Sequence, residues 1–191
     1  MKWFPDYNYI LASRSPRRAQ LLKSLGIDFK VIVKEVDESY PSILKNEEIP
    51  VYLAKLKARP FLNDMGEKDL VITADTIVCL DGKVLGKPKN KKEAHQMLNE
   101  LSGKNHKVIS GVCLTSKNKQ LSFFSASDVY FKKLTGEEID YYVSTFKPFD
   151  KAGAYGIQEW IGSIGISHIE GSFYNVMGLP VQRLYEEIQK F

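Results

Sequence analysis

Residues that cross-link chains or bind zinc are scarce in this sequence of 191 residues, which contains only 2 cysteines and 3 histidines. Cys79 and Cys113 lie far apart, and His95, His106 and His168 show no metal-ligand interval with them or with each other. A disulfide scaffold and a zinc site are therefore not expected. Apolar runs of roughly 18 residues and an apolar signal segment are also missing, so we expect a soluble, cytoplasmic protein with no membrane partner.

Neither sign of charge is in large excess. The chain has 27 Lys and Arg against 23 Asp and Glu, a net charge of +4, which is too small to indicate a nucleic-acid coat, and we expect no specific nucleic-acid partner. With 43% hydrophobic and 26% charged residues the chain is typical of globular proteins. Its length suffices for one core or for two small lobes that share a cleft. No linker or repeat divides it, so we treat residues 1–191 as one domain.

Strand-like and helix-like segments alternate along the chain. Tyr9–Ala12 is an apolar run, and Ser15, Pro16 and Gly26 mark the start and end of a helix that follows it. Further strands are expected at 29–33, 70–73, 76–80, 83–85, 107–114 and 121–131, and further helices at 50–59, 91–101, after the capping box at 135–138 and at 180–190. The segment 151–172 reads as a glycine-rich loop. This order predicts an α/β or α+β fold.

The turn from Ser13 to Arg18 predicts an anion site. It places three arginines and two serines at the start of a helix, where free N–H groups and the positive end of the helix dipole attract phosphate. Arginine also matches phosphate oxygens in pairs. The ordinary alternative is a solvated basic turn with a simple cap. Arginines are disfavoured by the dipole at this end of a helix, and that mismatch favours a bound anion.

Asp75 lies within apolar, strand-like sequence, where a carboxylate is costly unless it has a partner or a metal. The alternative is an aspartate that caps its own turn through Thr76. Glu38 follows Asp37 in a loop, where paired acids are usually only solvated. Together, Glu38 and Asp75 could hold a hard divalent cation, because Mg²⁺ combines one or two carboxylates with substrate phosphates.

Two further positions, Lys87 and Gln158, are candidate binding residues. Lys87 lies between Gly86 and Pro88, which gives it a fixed backbone position. The other lysines of this run are expected only to keep the surface soluble. Gln158 ends a segment of small residues, and its amide could read the N3–H and O4 edge of uracil or thymine; an incidental glutamine in a glycine-rich loop is the alternative. The glycine motifs of P-loop and dinucleotide-binding proteins are absent.

Eight short segments, in this order, resemble the Maf family of nucleoside triphosphate pyrophosphatases, once described as septum-formation inhibitors. The segments are Leu11-Ala12-Ser13-Arg14-Ser15-Pro16-Arg17-Arg18, Asp37-Glu38, Lys57-Ala58, Ala74-Asp75-Thr76, Gly86-Lys87-Pro88, Ser102-Gly103 with His106, Asp150 to Gln158, and Asn175-Val176 with Gly178-Leu179-Pro180. The run Ala154 to Gln158 resembles the dTTP/UTP branch. The sequence departs from the family at Glu159, where the usual run continues with glycine, and at Arg14.

The resemblance implies a mixed, twisted sheet in two lobes around a deep cleft, similar to inosine triphosphate pyrophosphatases. It places the proton acceptor at Asp75 and base selectivity at Arg17, Thr76 and Gln158. The remaining active-site positions match Ser13, Arg18, Glu38, Lys57 and Lys87.

The implied activity is hydrolysis of dTTP or UTP to the monophosphate and pyrophosphate, with Mg²⁺ or Mn²⁺ on Glu38 and Asp75. Asp75 would act as base or as metal ligand, and the sequence does not separate these roles.

Two alternatives stay open. One is a non-catalytic regulator of cell division that binds a nucleotide or a partner, and the other is the same chemistry on 7-methyl-GTP or a modified nucleotide. A homodimer is compatible with the sequence.

Overall fold

The computed structural model describes residues 3–191. Its strands are β1 (Asn8–Leu11), β2 (Phe29–Val31), β3 (Asp69–Leu80), β4 (Lys83–Leu85), β5 (Asn105–Thr115), β6 (Gln120–Phe131) and β7 (Ile166–Glu170). Its α-helices are α1 (Pro16–Ser24), α2 (Glu48–Ala58), α3 (Lys91–Leu101), α4 (Gly136–Phe146), α5 (Trp160–Gly165), α6 (Phe173–Met177) and α7 (Val181–Gln189), with 3-10 turns at Arg59–Phe61 and Ala152–Ala154. Within residues 3–191, no helix combines the length and the apolar character needed to cross a membrane.

The sheet contains both parallel and antiparallel pairs. β1 runs parallel to β2 and to β3, whereas β4 is antiparallel to β3 and β7 is antiparallel to β6. The hydrogen-bonded order is β2-β1-β3-β5-β6-β7, and β4 pairs with β3 outside this path. The predicted α/β fold with a mixed sheet is thereby confirmed.

The chain divides into two compact units. The first comprises Met1–Asp75, Ser110–Ser125 and Gly178–Phe191, and the second comprises Thr76–Ile109 and Ala126–Met177. The predicted anion turn, Glu38, Lys57 and Asp75 belong to the first unit, whereas Thr76, Lys87 and Gln158 belong to the second. The expectation that the lobes form one inseparable domain stays a prediction.

In the first unit, local sequence signals place the helices that carry the candidate residues. Ser15 caps α1, its hydroxyl accepting the Arg18 N–H at 3.4 Å, and Gly26 takes the left-handed conformation after the helix with φ of 76°. Gly111 of β5 lets α2 approach closely, because a Cβ there would lie 2.3 Å from the backbone of Pro50. The Thr73 hydroxyl of β3 donates to the Ala54 carbonyl of α2 at 2.7 Å. These contacts fix α2 against the sheet.

The second unit has its own core of buried side chains from α3, α4, β6 and the segment that follows Lys151. Asp81 and Gly82 form the predicted hairpin turn with φ of 50° and 80°, and the predicted capping box of Thr135 and Glu138 starts α4. The Gly153 N–H donates to the Gly86 carbonyl at 3.1 Å, so the end of the hairpin is joined to the glycine-rich segment.

Two expectations about secondary structure need correction. Residues 151–172 are not a continuous loop, since they contain α5 and β7. β2 ends at Val31 rather than at residue 33, whereas the strand-like sequence predicted around Asp75 is confirmed, because residues 70–73 and 76–80 belong to one strand, β3. α5 has only 6 residues and β7 only 5, which is too short for a periodic apolar pattern to show in the sequence.

Candidate functional site

Lys57 bridges two carboxylates in the first unit. Its Nζ lies 2.6 Å from Asp75 Oδ1 and 3.0 Å from Glu38 Oε2. The side chains of Lys57 and Asp75 are only 15% and 13% exposed, whereas that of Glu38 is 54% exposed. A carboxylate this far from water needs a counter-charge, and Lys57 supplies it from the last turn of α2.

Arg18 is fixed beside the strand that carries Asp75. Its Nη1 donates to the carbonyl oxygen of Ala74 at 2.8 Å, and its Nε donates to that of Gly178 at 2.8 Å. Burial lowers the pKa of the Arg18 guanidinium, although the charges of Asp75 and Glu38 act to raise it. The first turn of α1 thus places a half-buried positive charge beside the strand that carries Asp75.

The other residues of the predicted anion turn have separate roles. Ser13 is buried, and its hydroxyl accepts the Ser15 N–H at 3.2 Å and lies 3.5 Å from Arg18 Nη1. Arg17 is half-buried, and its charge further lowers the pKa of Arg18. Arg14 pairs at the surface with Glu35 at 2.6 Å. The turn therefore orders Arg18 in the first unit, while Arg14 lies in a different ion pair.

In the second unit, Lys87 and Gln158 are both exposed. Each belongs to one of two segments that are joined by a backbone hydrogen bond. Lys87 follows Gly86, whose carbonyl accepts the Gly153 N–H, and Gln158 lies five residues beyond Gly153. Gly153 has φ of 67°, and a Cβ there would lie 3.1 Å from the Val78 side chain, so glycine is required at this junction. Thr76 is the half-buried first residue of this unit.

A network that the sequence did not reveal holds the backbone before Gln158. The Gly156 N–H donates to the Tyr142 hydroxyl at 3.0 Å, and that hydroxyl donates in turn to Glu159 Oε2. Lys151 Nζ lies 3.1 Å from Glu159 Oε1. In the sequence Tyr142 reads only as an apolar position of α4, and no spacing relates it to residues of a later loop.

His106 is a core residue. Its Nε2 lies 2.7 Å from the Tyr155 hydroxyl, and its ring stacks on Phe131. Burial lowers its pKa to about 4, so the imidazole is neutral at physiological pH. It supports the segment before Gln158 without carrying charge.

The Lys57 ammonium lies between the two carboxylates that the sequence predicts as ligands of a divalent cation. Within residues 3–191, no group of three or more His, Cys, Asp or Glu side chains could hold a metal ion by itself. Mg²⁺ is commonly held by one or two carboxylates and completed by substrate phosphates and water. Glu38 and Asp75 offer those two carboxylates, and the Lys57 ammonium supplies the positive charge between them. Their role as metal ligands stays a prediction.

Comparison with known proteins gives consistent matches over nearly the full chain. A family model described as Maf-like protein matches residues 8–191. A dTTP/UTP pyrophosphatase of Phocaeicola vulgatus is 57% identical over 96% of both chains, and one of Bacteroides thetaiotaomicron is 56% identical over 96% of both. A dTTP/UTP pyrophosphatase of Christiangramia forsetii is 52% identical over 97% of this chain and 94% of its own.

Among solved structures, the Ham1 protein of Staphylococcus aureus matches 65% of this chain and 71% of its own with a TM-score of 0.48 and 15% identity. The sequence match to the family, in contrast, covers the anion turn, Glu38, Lys57, Asp75, Lys87 and Gln158 within one continuous range. The chain belongs to the Maf family.

Proposed function

We propose that this chain hydrolyses dTTP and UTP between the α and β phosphates and releases the nucleoside monophosphate and pyrophosphate. The observation that carries the proposal is the arrangement of Lys57 against Asp75 and Glu38 in a chain whose full-length relatives are named dTTP/UTP pyrophosphatases. A mostly buried carboxylate paired with a lysine ammonium is suited to chemistry on a phosphate anhydride. A protein that only bound a nucleotide would gain nothing from keeping Asp75 away from water.

Asp75 is proposed as the group that accepts the proton of the attacking water. Its alternative role, as a metal ligand, uses the same carboxylate. Lys57 has three N–H donors, and Glu38 and Asp75 take two of them, which leaves one for a phosphate oxygen. Phosphate binding would draw the ammonium away from Asp75 and leave the carboxylate free to take a proton.

Positive charge around Asp75 would stabilise the phosphates as they gain charge. Arg18 is held by backbone carbonyls and supplies a fixed charge, whereas Arg17 is half-buried in the same turn. Such preorganised charges stabilise a transition state more than water does. Ser13 is proposed as a substrate-binding residue that also orders this turn, and Lys87 is proposed as a further phosphate-binding lysine.

The cation is proposed to be Mg²⁺ or Mn²⁺, with Glu38 and Asp75 as the protein ligands. When bound, it would polarise phosphoryl oxygens and shield their charge. Base selection is proposed for Gln158, Thr76 and Arg17. We also propose that the protein acts in the cytoplasm without a nucleic-acid partner, and that a homodimer is compatible with this function.

The test is a panel of triphosphates incubated with Mg²⁺ or Mn²⁺ and assayed for pyrophosphate. The panel contains dTTP, UTP, dCTP, dATP, GTP, 7-methyl-GTP and pyrimidine nucleotides with modified bases. We expect dTTP and UTP to give the fastest release. Faster release from 7-methyl-GTP or a modified pyrimidine would show that this nucleotide is the substrate instead of dTTP or UTP. No release from any of them would leave the regulatory alternative.

A further inference from the structure

A cavity of about 360 Å³ lies in the first unit, and none of the residues proposed to act on the nucleotide lines it. Its lining comes from residues 3–7, from Tyr9 and from residues 25–28. Because β1 and β2 are parallel neighbours, the segments that lead into them lie at the same end of the sheet. Pockets for small molecules have volumes of about 300 to 1,000 Å³, so this cavity has room for a small ligand.

Aromatic side chains form much of the lining. They include Trp3, Phe4, Tyr7 and Tyr9, which we call the aromatic cage. The Tyr9 ring is nearly perpendicular to its neighbours, at 75° to Phe4 and 80° to Tyr7, with ring centroids 6.4 and 6.2 Å apart. Trp3 is 62% exposed and can therefore meet a ligand that enters from solvent. Rings at right angles form walls rather than a stack, and the face of each ring attracts positive charge.

The rings of the aromatic cage are fixed by further contacts. Phe4 packs edge-to-face on Tyr185 with centroids 5.4 Å apart, and Tyr7 packs on Phe191 at 6.1 Å. The Tyr9 hydroxyl donates to a backbone carbonyl of its own segment at 2.8 Å. A site whose groups are already in place loses less conformational entropy when a ligand binds. The cage is therefore preorganised.

Negative charge accompanies the rings. Within residues 3–191, the charged side chains of the lining are Asp6 and Asp28, both exposed, and no lysine or arginine lines the cavity. Asp6 pairs with Lys68 at 2.9 Å, but the two side chains are 72% and 68% exposed, so water screens the pair. Burial raises the pKa of the Tyr9 hydroxyl to about 12, with smaller contributions from Tyr7 and Asp6. The Asp6 carboxylate therefore acts electrostatically on the cage.

The C-terminal end of α1 lies at the same cavity. Leu25, the C-cap residue of α1, and Gly26, which follows it, both belong to the lining. A helix carries a partial negative charge at this end, which stabilises a nearby cation. Ring faces, carboxylates and the helix end all favour positive charge. None of them favours an anion such as a triphosphate.

We propose that this cavity is a binding site for a small organic cation of the quaternary ammonium class, held by the aromatic cage and compensated by Asp6 and Asp28. The attraction between a cation and a ring acts within about 6 Å of the ring centroid and is strongest for an indole, which Trp3 supplies. The site goes beyond the proposed function, because its residues take no part in the hydrolysis of a nucleotide.

The chemistry of ring faces selects the kind of cation. A primary ammonium has three N–H donors, which would lose water here without gaining acceptors from the rings. A metal ion needs several oxygen ligands at about 2.0 to 2.6 Å. A quaternary ammonium has no N–H group and carries its charge on an apolar surface, so ring faces and nearby carboxylates satisfy it.

The test compares choline with 3,3-dimethylbutan-1-ol, which has the same shape but a neutral carbon in place of the nitrogen. Each is titrated into ¹⁵N-labelled protein without nucleotide, and NMR follows the indole N–H signals of Trp3 and Trp160. Choline should shift the Trp3 signal saturably and leave that of Trp160 unchanged. Its affinity should exceed that of the alcohol by at least about tenfold, as for a desolvated cation on aromatic rings. Equal affinities, or no saturable shift of Trp3 at millimolar choline, would overturn the proposal.

Variants separate the cation-binding groups from general packing. Tyr7→Leu removes one ring and Asp28→Asn removes one carboxylate, and each should lower the ratio of the two affinities by about threefold. Glu47→Gln, which removes an exposed carboxylate of the same unit outside the cavity, is the matched control and should keep the ratio. Because the two ligands share one shape, a change in packing alone would alter both affinities together.

A ratio that stays at the wild-type value in both Tyr7→Leu and Asp28→Asn contradicts the proposal. The outcome is independent of the hydrolysis, since choline binding is measured without nucleotide. A protein that binds choline as expected but releases no pyrophosphate from any triphosphate would contradict only the proposed function.

Discussion

Lys57 Nζ lies 2.6 Å from Asp75 Oδ1, and the two side chains are 15% and 13% exposed. This ion pair joins the last turn of α2 to the middle of β3, so helix packing and site electrostatics are coupled. Glu38 extends the pair from a loop, with Oε2 3.0 Å from the same ammonium. Removing Lys57 should therefore change both the stability of the protein and its affinity for cations.

Lys57→Met should lower the free energy of unfolding by about 2 kcal/mol, because it leaves the Asp75 carboxylate partly buried without its partner. Urea unfolding at pH 7 measures this change. Lys55→Met on the exposed face of the same helix is the control and should cost less than about 0.5 kcal/mol. The double variant with Asp75→Asn should recover part of the loss, and a purely additive loss would argue against a coupled pair.

The same substitution should strengthen the binding of Mn²⁺ in the absence of nucleotide. In the wild-type protein the Lys57 ammonium competes for the two carboxylates, so a divalent cation binds them weakly until a triphosphate draws the lysine away. Electron paramagnetic resonance of free Mn²⁺ should show at least a tenfold higher affinity for Lys57→Met, equivalent to about 1.4 kcal/mol. Equal affinities in both proteins would show that Glu38 and Asp75 do not form the cation site.

Stability should depend on pH through His106. Its pKa is lowered to about 4 in the folded protein from 6.5, chiefly by burial, so the unfolded chain binds a proton that the folded chain does not between these values. Stability is therefore full above about pH 6.5 and falls as the pH drops towards 4, by about 3 kcal/mol. The free energy of unfolding, measured with urea between pH 4 and pH 7, should depend less steeply on pH in His106→Gln than in the wild-type protein. Identical slopes in the two proteins would contradict a neutral buried histidine.

Local signals predicted much of the fold. Ser15, Pro16 and Gly26 define α1 in the sequence because capping and left-handed turns depend on a few adjacent residues. Asp75 stood out for a similar reason, as a carboxylate within an apolar run that forms the buried strand β3. Such features need no knowledge of residues distant in the chain.

The contacts of the site could not be predicted in the same way. The partner of Asp75 lies 18 residues before it on a helix, and nothing in the spacing of α2 distinguishes Lys57 from Lys55 as that partner. The resemblance to a family identified Lys57 by position, but only the packing of α2 on β5 shows which charge it meets. Tyr142 and Glu159 are 17 residues apart, and Glu159 directly precedes a short helix that lacks a sequence signal.

The most direct test of the central claim is the hydrolysis of dTTP by wild-type protein and Asp75→Asn, with separate measurement of dTMP, pyrophosphate and nucleotide binding. We expect wild-type protein to release dTMP and pyrophosphate in equal amounts with Mg²⁺, and Asp75→Asn to bind the nucleotide but to turn over at least about 100-fold more slowly, as expected for loss of a general base. Release of dTDP and phosphate, or near wild-type turnover by Asp75→Asn, would contradict the account.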